Sequence, residues 1–495
     1  MSIPFPGRLP WLLIPSLAAA CTVGPDFKNP GAPDVSGYTR DALATTASTP
    51  RTALGEAQRF VDGMDLSAEW WTAFNSPALN NLVRRALKTN PSLQAAQAAL
   101  RQARELVTAQ KGVFYPAVSA GLSASRTLTP TAAVSAASAT GNPYYSLITP
   151  QLNISFVPDV FGANARAVEA LEAQAENQRF QLEATYLTLT SNVVTGAVQE
   201  ASLRGQILAA EESLRIVKDL LGILRRQQAA GAVSGADVAA QEAALAQVEQ
   251  ILPPLRKQLA LQRDALIVLT GRFPVQDLEE AFDLARFTLP RDLPLSLPSK
   301  LVVQRPDVRQ AEATLHAASA NIGQAVVARL PQIALTANVG SSANALSGLF
   351  TPGANFWTLA GGLAQPVFDG FSLLHKERAA RAAFDQAGAQ YRQTVLAAFQ
   401  NVADTLRALQ FDAETLRAAA ASERAASRSL EIVRKQLAVG QIPYAGVLAA
   451  ENTYQQARLA LVQAQANRLT DTAALFQALG GGWWNRTNDP DTGPR

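Results

Sequence analysis

Two long stretches without proline, Gly162 to Gly231 and Gly370 to Gly440, set the tightest limit on how this chain can fold. In the first, Leu182, Tyr186, Leu189, Val193, Leu203, Ile207, Leu214, Val217, Leu221 and Leu224 recur mostly at steps of three, four or seven, which is one stripe of a helix. In the second, Leu396, Phe399, Val402, Leu406, Leu409, Leu416, Leu430, Val433 and Leu437 do the same. A helix of roughly 68 residues, at about 1.5 Å per residue, is about 100 Å long, whereas a small domain is only about 30 Å across. Neither span fits inside a compact domain, so each is expected to stand out as a strut.

The two struts belong to a duplication. Pro158-Asp-Val-Phe-Gly162 precedes the first and Pro366-Val-Phe-Asp-Gly370 the second, and each strut ends on a glycine, where a left-handed C-cap is least strained. Gly231 to Gly271 and Gly440 to Gly480 are both 40 residues apart, and Pro91 to Pro116 and Pro306 to Pro331 are both 25 apart. The repeat is about 210 residues, far longer than a solenoid unit. Around it the expected organisation is a signal segment at 1–20, an extended arm at 21–64 and a first repeat at 65–271. A linker at 272–304 wraps the helices as a belt, a second repeat follows at 305–483, and 484–495 form a flexible tail.

Between helices the periodicity changes from helical to alternating. Val118, Ala120, Leu122 and Ala124 alternate with Ser119, Gly121, Ser123 and Ser125, and Leu152, Ile154 and Phe156 with Gln151, Asn153 and Ser155. The second repeat does the same with Ile333, Leu335, Ala337 and Val339, then with Trp357, Leu359, Gly361 and Leu363. This predicts four strands of about ten residues, the length a tilted membrane strand needs. A short helix before each strand pair and a longer one after each strut together match one strut in length. Each strut can therefore pair with two shorter helices. Pro253-Pro254 is expected to kink or break the longer partner in the first half. Trp70-Trp71 and Phe74 read as core packing.

Four strands with an apolar face cannot close a membrane barrel alone, because closure needs about eight or more. An open sheet in lipid leaves backbone groups unpaired. Strands from several chains must combine; twofold, threefold and fourfold rings would give eight, twelve or sixteen, and the periodicity does not choose among them. A solid coiled-coil rod without a pore is the alternative for the same pattern. No apolar run of 18 residues follows the N-terminus, so a spanning helix is not expected.

Composition excludes other classes. Charged residues make up 17% of the 495, and the net charge of +3 comes without a basic run, which argues against nucleic acid. No lysine follows a glycine, so no phosphate loop exists, and the Gly-x-Ser-x-Gly elbow is absent. His316 and His375 stand alone on separate helices, so no metal, cofactor or catalytic site is expected. The one cysteine, Cys21, cannot form an intramolecular disulfide. It follows Trp11-Leu-Leu-Ile-Pro-Ser-Leu-Ala-Ala-Ala20, a short apolar run ending in small residues, and reads as the lipidated residue of a bacterial lipoprotein. Thr22 in the next position is compatible with outer-membrane sorting.

Cys21-Thr-Val-Gly-Pro-Asp-Phe27, Trp70-Trp71-x-x-Phe74, Leu79-Asn-Asn-Leu82, Asn90-Pro-Ser-Leu93 and Ala478-Leu-Gly-Gly-Gly-Trp483 together resemble the TolC/OprM-type outer-membrane efflux proteins, above all the lipoprotein, NodT-like branch. The similarity runs from Cys21 to Trp483. It implies a mainly α fold with a membrane β-barrel: a homotrimer whose twelve strands, four per chain, stand on a helical periplasmic tunnel. It also implies a periplasmic adaptor and an inner-membrane pump of the resistance-nodulation-division class as partners. The setting is the outer membrane, with Cys21 in its lipid and the helices extending into the periplasm. Drugs, dyes, solvents or metal ions would leave through the tunnel; a type I protein-secretion outlet is the alternative within the same architecture. By this resemblance the tips that meet the adaptor are Gly231, Ala232, Val233 and Ser234, and Gly440, Gln441, Ile442 and Pro443. Relatives often carry a charged lock just after the second tip, where this chain has Ala449 and Asn452. The gate candidates are then Tyr444, an apolar constriction at Val447 and Leu448, and Asp237 of the first tip, which also suits the first turn of a helix.

Overall fold

The computed structural model describes residues 22–41, 43–128 and 144–486. Both struts form as uninterrupted helices of 67 residues, α3 (Ala163–Ala229) and α7 (Ser372–Ala438). Before them come α1 (Pro77–Thr89) and α2 (Pro91–Lys111) in the first half, then α5 (Pro298–Gln304) and α6 (Pro306–Val327) in the second. After them come α4 (Gly235–Leu269) and α8 (Tyr444–Ala478), both of 35 residues. Among the described residues no helix is long and apolar enough to cross a membrane. The chain divides into two compact units that cut across the duplication, each drawing segments from both halves.

The first unit (1–29, 101–177 and 311–391) holds a four-stranded antiparallel sheet, ordered β2 (Ala117–Leu128), β3 (Tyr144–Phe156), β5 (Gln332–Ser341), β6 (Asn355–Ala364). The register explains why the alternation matters. Val118 lies opposite Ile154, Ile154 opposite Ala337 and Ala337 opposite Leu359. One step along, Ala120, Leu152, Val339 and Trp357 form a parallel row. On the other face Ser119, Asn153, Asn338 and Thr358 line up in the same way. One side of the sheet is thus apolar across all four strands and open to its surroundings, with Leu122, Trp357, Leu359 and Leu363 each more than 70% exposed. β3 begins earlier than the alternation alone suggests, and most of the loop expected at 127–143 lies outside the described residues.

The second unit (30–100, 178–310 and 392–495) contains α3 from residue 178, α7 from residue 392, their hairpin partners α4 and α8, and the segments packed on them. The tryptophan pair is core, as expected: Trp70 and Trp71 are buried, and Trp70 meets Phe476 of α8 at 5.5 Å between ring centres. The arm pairs with the linker through a short parallel ladder, β1 (Arg59–Asp62) on β4 (Asp292–Leu295). Arg468 of α8, fully shielded from solvent, holds the arm further. It donates to the carbonyls of Leu54 and Glu56 at 2.8 and 2.9 Å, to Gln58 Oε1 at 2.9 Å and to Thr46 Oγ1 at 3.2 Å. None of these acceptors is charged, and burial pushes the Arg468 pKa down to about 10.

Two expectations are narrowed by the structure. α4 runs through Pro253 and Pro254 without a break. The two missing N–H donors are tolerated because Leu252, beside them, is packed with Ile207 and Ala210 of α3. The first three residues of the expected tail have partners: Trp484 Nε1 and Asn485 Nδ2 donate to the Asp65 carboxylate at 3.0 and 2.8 Å, and Arg486 lies 3.0 Å from Glu183. Residues 487–495 lie outside the described part.

Arg468→Ala removes four hydrogen bonds and leaves the Leu54 carbonyl and Gln58 Oε1 without that donor, while Thr46 Oγ1 keeps the N–H of Gln58. At about 1–3 kcal/mol per orphaned group, the arm is expected to detach while the helices persist. Limited proteolysis should then cut within residues 44–58 many times faster than in the wild type, with helix content by circular dichroism unchanged.

Candidate functional site

The tip of each hairpin is a glycine turn closed by the same bonds. At the first, the N–H of Gly231 bonds to Gln228 O at 2.9 Å and that of Ala232 to Gln227 O at 2.8 Å. At the second, Gly440 bonds to Leu437 O at 3.0 Å and Gln441 to Gln436 O at 2.9 Å. This nested pair of bonds needs a left-handed residue at its centre, and both glycines have φ of +74°.

Beyond the turns the repeats diverge. Ser234 caps α4: its Oγ accepts from Asp237 N at 3.2 Å, while Asp237 Oδ2 accepts from the N–H of Ser234 at 3.1 Å and from its hydroxyl at 2.6 Å. This reciprocal box satisfies two orphan donors of the helix start. The positions equally far past Gly440 are Pro443 and Gly446, and Pro443 provides no side-chain cap to α8. Asp237 is therefore occupied as a helix cap, and its bonds to Ser234 lower its pKa.

Within one chain the hairpins meet through an apolar cluster of Leu221 and Leu224 from α3, Val238 from α4, Leu430 from α7, and Tyr444 and Val447 from α8. Val233, Ile442 and Leu448 pack against its edge. Val447 is 0% exposed and Tyr444 is buried, so neither side chain faces an opening, as the expected constriction requires; both are used up in the chain's own core. Leu448 is partly exposed, and Ala449 and Asn452 are exposed. Among the described residues, the ion pairs of this region either stay within one helix, as Arg215–Glu212 and Lys435–Glu431 do, or join the two helices of one hairpin. Arg225–Glu242 at 2.7 Å and Lys218–Glu249 at 3.2 Å tie α3 to α4, and Arg434–Glu451 at 3.3 Å and Arg458–Glu423 at 3.6 Å tie α7 to α8.

Glu451 is a residue the sequence reading missed. It is 7% exposed, and its Oε2 has no hydrogen-bond partner. Burial raises its pKa, and Arg434 only partly offsets this. The signal was present in the spacing: Tyr444, Val447, Glu451 and Gln455 follow at steps of three, four and four, and all are buried. Glu451 and Arg434 also floor a groove of about 510 Å³ between α3 and α7, rimmed by Arg215, Asp219, Ile223 and Gln227. Among the described residues no three His, Cys, Asp or Glu side chains group as a metal site would need. His316 instead accompanies Glu169 at 3.0 Å.

These features can be set beside known proteins. The sequence profile described as "Outer membrane efflux protein" matches residues 82–272 and 297–481. The chain belongs to this family. It is an outer-membrane efflux channel and not an enzyme. It is 27% identical over 473 residues to the toluene efflux pump outer membrane protein TtgC of Pseudomonas putida, covering 95% of this chain and 94% of that one. It is 30% identical over 422 residues to the pyoverdine export outer membrane protein OpmQ, also of Pseudomonas putida, covering 84% and 88%. The outer-membrane channel OprN shares the fold with a TM-score of 0.83 at 26% identity, over 94% of this chain and all of that one.

The two tips should respond oppositely to pH. The lowered pKa of Asp237 means its contribution is present above the unfolded carboxylate range and lost as pH falls through the folded value. The raised pKa of Glu451 means its protonated form favours the folded tip, an advantage lost as pH rises through the folded value. On acidification, protection of the amides at 234–237 should fall and that at 444–451 should rise. Amide hydrogen exchange, corrected for intrinsic rates, measures both.

Proposed function

We propose that this protein is the passive exit duct of a tripartite efflux pump. Three chains form one twelve-stranded barrel in the outer membrane; a periplasmic adaptor meets the helical tips, and an inner-membrane pump of the resistance-nodulation-division class supplies the energy. The observation that carries this reading is the sheet: a continuous apolar face over four strands, with β2 and β6 unpaired at its edges, in a chain of the efflux family. Because the strand number is even and every pairing antiparallel, β6 of one copy can meet β2 of the next in the same sense. Cys21, directly before the described residues, carries the lipid that joins the chain to the membrane. The cargo is small: TtgC is named for toluene and OpmQ for pyoverdine, and the pump rather than the duct selects it.

The resting gate is held by packing between the two hairpins more than by ion pairs, since the cluster around Val447 joins them and the ion pairs do not. The second tip, with Pro443 and Gly446 in place of a capping box, is the softer one. The turn residues Gly231, Ala232, Val233 and Ser234, and Gly440, Gln441, Ile442 and Pro443, form the surface offered to the adaptor. Val447→Ala and Leu448→Ala are expected to raise resting conductance in planar bilayers, and Asp237→Ala to leave it near the wild-type level. The opposite pattern would refute closure by packing.

Deleting the gene should make cells retain several unrelated dyes, antibiotics or solvents, and restoring it should clear them. Retention confined to metals or one compound class would assign the duct to a dedicated pump. Unchanged retention together with a lost secreted protein would replace efflux by protein export.

A further inference from the structure

The residues that follow Cys21 are seated in a built cradle on the first unit. The N–H of Val23 donates to Phe161 O at 3.1 Å, in the short link between β3 and α3. Arg166, in the first turns of α3, is 5% exposed and spreads its guanidinium over the segment. Nε donates to Val23 O and Nη2 to Gly24 O, both at 3.3 Å, and Nη2 also reaches Asp26 Oδ1 at 2.8 Å. Its remaining nitrogen, Nη1, holds Glu169 Oε2 at 2.7 Å. The other oxygen of Glu169 is 3.0 Å from Nε2 of His316 on α6, and the imidazole stacks on Phe27 at 4.3 Å with 12° between the rings.

Three glycines make the seat possible. Gly24 has φ of +112°, and a Cβ on it would lie 2.5 Å from the Cα of Gly323. A Cβ on Gly323 would fall 2.9 Å from Arg166 Cγ and 3.0 Å from Val23 O. A Cβ on Gly162, at φ +79°, would fall 2.7 Å from Thr22 Cγ2. Asp26 is largely exposed, so its ion pair contributes little; the backbone bonds and the close approach carry the fit.

We propose that residues 22–27 form a clasp, closed on Arg166 and His316, that fixes the membrane-anchored end of the chain at the β3–α3 link, beside its own sheet. This rests on the reading of Cys21 as lipidated. Two elements of the chain then seek the same bilayer, the acyl groups and the apolar face of the sheet. A short fixed connection holds the sheet at high effective concentration against the membrane, which a loose tether would not. Arg166 acts here as a positioning residue, with no part in conduction.

The full-length chain tests this in three measurements: palmitate incorporation in cells, amide exchange at Val23 in the purified protein, and the rate at which newly made chains become protease-resistant trimers. Arg166→Ala and Gly24→Val should each leave palmitate incorporation unchanged, speed exchange at Val23 at least about tenfold, and slow trimer maturation several-fold. Phe27→Ala, a milder change at a half-buried ring, should show the same trend with the final trimer intact. Exchange at Val23 of the wild type at the rate of an unstructured peptide, or wild-type maturation in all three variants, would overturn the clasp. Absence of palmitate from the wild type would overturn the lipid reading instead.

Discussion

Inside a bilayer a strand can leave neither its N–H groups nor its carbonyls unpaired, since each orphan costs several kcal/mol. β2 and β6 both present such an edge. The apolar rows that cross the sheet make water a poor solvent for one face, and the edges make lipid a poor solvent for the backbone. Only closure with further strands satisfies both, so the chain's membrane part is incomplete as a single copy. The seam between the repeats shows how such closure is made. β3 and β5 come from different halves, yet they pair antiparallel from Gln151–Gly340 to Phe156–Leu335. The duplication has already joined two hairpins edge to edge within one chain, and assembly needs only the same operation between chains.

Duplication explains the equal helix lengths, and the departures from it mark where the halves have different work. The turn glycines and their bonds are kept. Ser234 and Asp237 become Pro443 and Gly446, which trades a capped helix start for an uncapped one carrying a flexible residue. The proline pair of α4 has no partner in α8. One tip is stiffened by local hydrogen bonds, while the other depends on Tyr444 and Val447 finding their places against the neighbouring hairpin.

Features governed by periodicity were legible in the sequence. The stripes of α3 and α7, the four alternating strands and the glycine stops all follow from local spacing alone. What was not legible depends on partners distant in the chain. The parallel β1–β4 ladder joins Arg59 to Asp292, and neither segment signals the other. Val447 was read as lining an opening because its neighbours resemble a tip; its burial is decided by Leu221 and Leu224 of the other hairpin. Arg468 carries no mark in the sequence that singles it out, yet it is among the most deeply buried side chains described. Asp237 left two readings open, a pore role and a helix start, and it forms a capping box with Ser234.

The grip of Arg468 on the arm also has a consequence in time. Its four acceptors lie between 410 and 422 residues upstream of it. The arm is synthesised and emerges before the side chain that moors it, with the whole of both hairpins' first helices made in between. Until α8 is present, the acceptors at Thr46, Leu54, Glu56 and Gln58 lack that donor, and the polar backbone there must remain hydrated. Docking of the arm therefore reports that α8 has been made: a product that stops before Arg468 would carry the arm loose, and a protease could tell it from one that has α8.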